Sequence, residues 1–181
     1  MGYLKGKLTK LVPLDFDKHL ANVCAWANDL ELTETLLFGD QPMTKSAEKE
    51  WFDSVSQARE HEIVFAIETL DGEHIGTSGI HHINHQHGTA TTGSYIGVKS
   101  EWGKGYGTDA AIVRARYCFH VLGLRQLYSS VLEGNERSLK MQEKVGYVAY
   151  GVAPKKFWKR GKYRDETLTV LTRERFYELH G

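Results

Sequence analysis

Apolar and polar positions alternate through GKLTKLVPL (residues 6–14), the two-residue period of a half-buried strand. The period lengthens to that of a helix over residues 15–29 and again over residues 46–59. The second stretch opens with TKSAEKEWF, where Thr44 or Ser46 can cap the free N–H groups and Glu48 or Lys49 falls in the first turn. Between the two, LELTETLLFGDQPM (residues 30–43) holds no period and reads as a loop or a broken helix. Three strand patterns follow, EIVFAIETL, HIGTSGIHHI and TATTGSYIGV, joined by the turns DGE and NHQHG. Connections that short imply an antiparallel meander.

Beyond the meander, residues 109–122 are amphipathic, with Ala111, Ala115, Cys118, Phe119 and Leu122 along one side and Gly123 as the stop. RQLYSSVL reads as a strand, and NERSLKMQEKVGY as a helix capped by Asn135 and closed by Gly146. Two last strands, YVAYGVAPKKFW and YRDETLTVL, flank the turn KRGK. A meander followed by strand, helix, strand, helix predicts an α/β (α+β) fold, a mixed and mostly antiparallel sheet with helices on it. No repeat or linker divides the chain, so residues 1–181 are expected to form one domain.

Composition narrows the partners. Lys plus Arg and Asp plus Glu both number 23, leaving no net field toward nucleic acid or an anionic membrane. No apolar run is long enough to span a bilayer, and the N-terminus lacks the apolar centre of a signal peptide. Gly6 stands where an N-myristoylation pattern needs Ser or Thr. Cys24 and Cys118 form no zinc or redox spacing, and Cys118 reads as a small buried hydrophobe. These features predict a soluble cytoplasmic protein. HHINHQH places His81, His82, His85 and His87 close together, but the stretch straddles a hairpin turn and contains neither Cys nor carboxylate. It reads as a surface turn, and no metal is expected.

The chemistry is carried by SEWGKGYGTDAAIVRARYCF. Gly103, Gly105 and Gly107 precede a long and regular helix pattern, where unpaired N–H groups and the positive end of the helix dipole favour an anion. A P-loop is excluded because no Lys-Ser or Lys-Thr follows a suitable glycine, and a dinucleotide fingerprint because the third glycine comes one residue early and in mid-chain. WGKGYG does fit the pyrophosphate loop of acetyl-CoA-dependent N-acetyltransferases, Arg/Gln-x-x-Gly-x-Gly/Ala, with Trp102 in the Arg/Gln position. NERSLKMQEKVGY matches that superfamily's fourth-helix signature at Asn135, Ser138, Glu143, Lys144, Gly146 and Tyr147, and GKYRDETLTVL matches its closing hairpin. The chain resembles the GNAT (Gcn5-related N-acetyltransferase) superfamily, in its branch of RimJ/RimL-like and spermidine-acetyltransferase-like enzymes.

The resemblance implies a GNAT-type sheet of about seven strands with a wedge between the SYIGV and LYSSV strands. Pantetheine would bond there to the backbone of Ile96 and Val98. The N–H groups of Gly103, Lys104, Gly105, Tyr106, Gly107 and Thr108 would wrap the pyrophosphate, with Asn135 holding the cofactor's arm. Acetyl-CoA is thus the expected cosubstrate and an amine the expected acceptor. Many relatives carry a tyrosine as general acid where this chain has Gln142, which leaves the hydroxyl of Ser138 as the donor to the departing sulfur. Glu133 is the first candidate base, with His81, His82 or a water-relayed group as alternatives. In the acceptor loop, Glu31, Glu34 and Asp40 would attract a cation, whereas the six basic residues of KKFWKRGKYR would repel a compact polycation. That balance favours a peptide or protein N-terminus over a polyamine. Two other readings are an acyl-CoA-binding regulatory module without catalysis and a nucleic-acid-binding module built on Lys155 to Arg164. A homodimer is compatible with the family; specific nucleic-acid and membrane partners are not expected.

Overall fold

A computed structural model describes residues 2–56 and 60–181. In chain order, β1 (Thr9–Pro13) leads into α1 (Phe16–Ala27) and α2 (Lys45–Ser56). The meander is β2 (Ile63–Thr69), β3 (His74–Asn84) and β4 (Thr89–Ile96). Then come α3 (Tyr106–His120), β5 (Gln126–Leu132), α4 (Glu136–Val145), β6 (Val148–Lys159), β7 (Lys162–Thr172) and α5 (Arg173–His180). The expected mixed sheet is present, with seven strands in the order β1-β2-β3-β4-β5-β7-β6. Every neighbouring pair is antiparallel except β4 with β5. The unperiodic acceptor stretch contains one short 3-10 turn, Leu32–Thr35. The predicted end of the second helix, residues 57–59, lies outside the described residues, and α5 was not anticipated from the pattern.

Helices cover both faces of the sheet. Phe65 of β2 packs edge-on against Tyr117 of α3 at 5.6 Å, whereas Glu68, three positions along, meets Lys10 and His19 on the α1 face. An odd separation puts the two residues on opposite faces of a strand. Six of the seven β2 residues are therefore buried, and the alternation expected of a one-sided sheet disappears there. The main core lies between the sheet and α3, where Ala110, Ala111, Ala115 and Cys118 let the helix approach Ile67 and Leu127. Burial pushes the Cys118 thiol up to about 12, so it is an inert core residue at neutral pH. Among the described residues no helix is long and apolar enough to cross a membrane.

The feature that positions the site is a short parallel ladder. β4 and β5 pair only at Thr89–Gln126, Ala90–Leu127 and Thr91–Tyr128. Beyond Thr91, β4 continues on β3 to Ile96, while β5 continues on β7 to Leu132. The strands part there, and side chains take over the backbone groups that the ladder abandons. Ser129 Oγ donates to the Thr92 carbonyl at 2.9 Å, and Arg114, buried in α3, donates to the Gly93 carbonyl at 2.9 Å. Gln142 of α4 reaches the same apex, donating to Ser129 Oγ at 3.0 Å and accepting from Thr169 Oγ1 at 2.6 Å. Tyr147 closes the set through its hydroxyl, 2.7 Å from Thr92 Oγ1. A buried polar network thus takes over from the ladder at the wedge, leaving Arg114 Nε as its one member atom without a partner among the described residues.

Candidate functional site

The glycine loop joins the open end of β4 to α3. Gly103 and Gly105 adopt φ of +80° and +93°, which an L side chain takes only under strain, and Gly105 is the N-cap of α3. A Cβ on Gly103 would meet nothing within 4 Å, so the glycine serves backbone conformation and leaves open space above it. Among the described residues, the N–H groups of Gly103, Lys104, Gly105, Tyr106, Gly107 and Thr108 find no protein acceptor. Unpaired backbone donors, open room and the positive end of a helix dipole together suit an anion such as a diphosphate. Asp109, in the same first turn, is turned away from the loop. It accepts from the N–H groups of Lys7, Leu8 and Thr9 and from Thr9 Oγ1, at 2.7 to 3.0 Å, and pins the N-terminal segment to α3. Sequence reasoning missed that role, since the partners are about a hundred residues away.

Ile96 and Val98 border the wedge, but their carbonyls already have donors. Trp102 Nε1–H donates to Ile96 O at 2.8 Å, and the Glu101 N–H to Val98 O at 3.0 Å. A carbonyl has a second lone pair, so a pantetheine amide would share these acceptors rather than find them free. Lys104, the loop's cation, is paired with Glu101 at 3.0 Å.

Across the wedge, Asn135 caps α4 by accepting from the Ser138 N–H at 3.1 Å. Its amide nitrogen donates to Thr35 O at 3.1 Å, which fastens the Leu32–Thr35 turn beside the start of α4. Ser138 is half-buried and its hydroxyl has no partner among the described residues. Glu133 is exposed at the end of β5, accepts from the Asp165 N–H at 3.2 Å and shares a cleft with Asn135, Val152 and Thr167. The histidines are not brought here. His81 pairs with Glu62 at 2.6 Å and lies opposite Thr91, at the closed end of the wedge. Ile96 lies five residue steps along β4 from Thr91, a distance of roughly 17 Å. His82 is exposed at φ +50°, and among the described residues no three ligating side chains converge on a metal position.

On the α1 side, the end of β4 is covered by aromatic rings. Trp26 lies directly over Gly97, where a Cβ would come within 2.0 Å of the indole. Tyr95 stands perpendicular to Trp26 at 6.0 Å and packs on Phe38 at 5.3 Å. Beside them Glu48 of α2 is completely buried, and neither carboxylate oxygen has a partner among the described residues. Burial raises its carboxyl to about 7. Burial also pushes the Tyr95 phenol up, against a hydrogen bond to Thr77, and the Glu48 charge adds to that shift. An acid able to hold or release a proton at neutral pH thus lies next to the strand that borders the wedge.

Residues 9–148 match the family described as the acetyltransferase (GNAT) domain. The chain belongs to the GNAT acetyltransferase family. It is 31% identical over 116 residues to the spermidine N(1)-acetyltransferase of Escherichia coli K12, a match covering 64% of this chain and 61% of that protein. A SPbeta prophage-derived, uncharacterized N-acetyltransferase of Bacillus subtilis is 27% identical over 135 residues, 74% of this chain and 69% of the relative. Among solved structures, spermidine N-acetyltransferase from Vibrio cholerae in complex with CoA and spermine superposes with a TM-score of 0.85. Identity is 20%, with 93% of this chain and 98% of that one covered. Mycobacterium smegmatis RimJ in complex with CoA-disulfide gives 0.79 at 23% identity, covering 96% and 84%. These likenesses establish the GNAT fold for the whole sheet and its helices.

Within the GNAT frame, the charges expected to select the acceptor cancel one another. Glu31 pairs with Lys99, Glu34 with Arg164, and Asp40 with Lys159 at 2.9 Å and Arg160 at 3.4 Å. Lys159 is buried and also donates to Phe38 O at 2.9 Å. Lys156 is taken by Glu166. The acceptor loop is docked onto the β6–β7 hairpin, and four of the hairpin's six basic residues pair with three carboxylates, Lys159 and Arg160 sharing Asp40. The acidic loop and the basic hairpin thus face each other, while Lys155 and Lys162 pair with no carboxylate among the described residues. Gln142, in the position of the missing tyrosine, is buried framework at the wedge apex.

Proposed function

We propose that this GNAT protein is an acetyl-CoA-dependent N-acetyltransferase whose acceptor is an alkyl primary amine, received by Glu48. The observation that carries the reading is the buried Glu48 carboxylate, unpartnered among the described residues and near Tyr95, whose ring packs with Trp26 and Phe38 over the end of β4. A buried carboxylate without a cation is costly, and an ammonium group supplies the missing charge and donors. The aromatic faces of Trp26, Phe38 and Tyr95 suit the same cation. An alkyl ammonium with a pKa near ~10 must lose a proton before it can attack a thioester. A carboxyl poised at about 7 is suited to take it. Acetyl-CoA supplies the acyl group: the new C–N bond replaces the C–S bond, and the thiolate leaves toward the side bearing the Ser138 hydroxyl.

The charges behind a preference for a peptide N-terminus are in large part engaged with one another, Glu34 with Arg164 and Asp40 with Lys159, and so discriminate less between acceptors. What remains is the likeness to two spermidine acetyltransferases, which puts a polyamine first and a RimJ-type peptide acceptor second. A thiol-release screen with acetyl-CoA tests this against polyamines, aminoglycosides, amino acids and N-terminal peptides. Turnover of spermidine or another alkyl polyamine is expected. Turnover of peptides alone would reverse the order, and CoA binding without turnover of any amine would make the protein an acyl-CoA-binding module.

A further inference from the structure

Three cations, Lys99, Lys104 and Arg137, stand on the segment leaving β4 and in the first turn of α4, and two are already paired. Lys99 is held by Asp29 and Glu31, and Lys104 by Glu101. Arg137, the second residue of α4, pairs with no carboxylate among the described residues. Its guanidinium instead lies 3.8 Å from the centre of the Trp102 ring. Trp102 is itself fixed by its ring N–H on Ile96 O at 2.8 Å. The stack joins the segment leaving β4 to the helix following β5, across the gap where the strands part.

This contact resolves the departure noted at position 102, where the pyrophosphate-loop pattern carries Arg or Gln. The glycine loop offers N–H dipoles but no unneutralised charge, and a diphosphate brings about two negative charges. A guanidinium lying on an indole face keeps its N–H edges free, and its planar fork matches phosphate oxygens. We propose that Arg137, held in place by Trp102, is the cation that receives the phosphates of CoA, the stack acting as a clasp at the entrance to the wedge. Trp102 thereby replaces a phosphate-binding side chain with a platform for one borrowed from α4. The proposal rests on the acetyl-CoA reading above, but not on the identity of the acceptor.

Calorimetric titration of CoA into wild type, Arg137→Ala, Arg137→Lys, Trp102→Ala and the double alanine variant tests it. Loss of the charge-assisted contact should weaken CoA about tenfold or more in Arg137→Ala, with partial recovery in Arg137→Lys. Trp102→Ala should weaken CoA as well, and the double variant should lose less than the product of the two single losses. The KM for acetyl-pantetheine, a thioester donor without the phosphates, should be unchanged in Arg137→Ala. CoA affinity within about twofold of wild type in Arg137→Ala would overturn the proposal. So would an equal loss toward acetyl-pantetheine, since the stack would then only shape the wedge. A wild-type protein that binds no CoA refutes the acetyl-CoA reading itself, an outcome distinct from the failure of Arg137.

Discussion

Replacing Glu48 by glutamine separates a working carboxylate from a packing fault. Burial raises its carboxyl from the ordinary 4.5 to about 7 in the folded protein. Because the folded state holds this proton more tightly than the unfolded chain, stability from this group is complete below pH 4.5. It is lost as pH rises toward 7 and is fully lost above that. The distance between the two values corresponds to about 3 kcal/mol at pH 8. Glu48→Gln keeps the shape and removes the ionisation. The variant should therefore match wild type near pH 4 and gain up to about 3 kcal/mol at pH 8, a rise of roughly 6–12 °C in Tm for a chain of this length. Urea unfolding of the two proteins at matched pH values from 4 to 8.5 measures the difference, in which other titrating groups cancel. A difference that stays flat across that range would refute the assignment of a buried, proton-linked carboxylate. The kinetic consequence runs the opposite way: the amine KM should rise about tenfold or more and kcat should fall, while CoA affinity stays constant. A more stable variant with unchanged KM would leave Glu48 as strain without a function.

The remaining predictions concern the framework and the reacting end. Gly105→Glu should abolish CoA binding in calorimetry by placing a carboxylate among the loop's N–H groups, whereas Gly105→Ala should mainly lower Tm through its positive φ. Ser138→Ala should reduce kcat with little change in CoA affinity, as for a hydroxyl that acts on the leaving sulfur; an unchanged kcat would return it to the helix surface. Asp109→Asn should cost about 2–4 kcal/mol in urea unfolding, because an amide nitrogen would face backbone donors. Gln142→Leu should cost about 2–3 kcal/mol by stranding Ser129 and Thr169, and Gln142→Tyr should lower Tm without raising kcat.

What could be read in the chain follows the range of the interactions. The Asn135 cap, the Gly146 stop and the glycines before α3 are decided within a few residues by dihedral preference and capping, and each occupies its expected place. The wedge and the count of about seven strands needed the resemblance as well as the periods, because a ladder that ends after three pairs leaves no local mark in TATTGSYIGV. Charges were misjudged where their partners are remote. Asp40 and Lys159 are 119 residues apart, so the acidic loop and basic hairpin looked like opposing surface fields although they form one contact. Glu48 shows the sharpest form of this limit. One turn before the buried Phe52, it lies on the face that α2 turns toward the sheet, and a carboxylate on an apolar face was the signal available. Whether such a group is solvated or buried depends on α2 packing against β2 and on Tyr95 lying nearby, contacts that no window of α2 contains. A buried acid without a cation is locally inconsistent with its helix, and such inconsistencies concentrate where a protein binds something. That is why the position least legible in the sequence carries the functional reading of the structure.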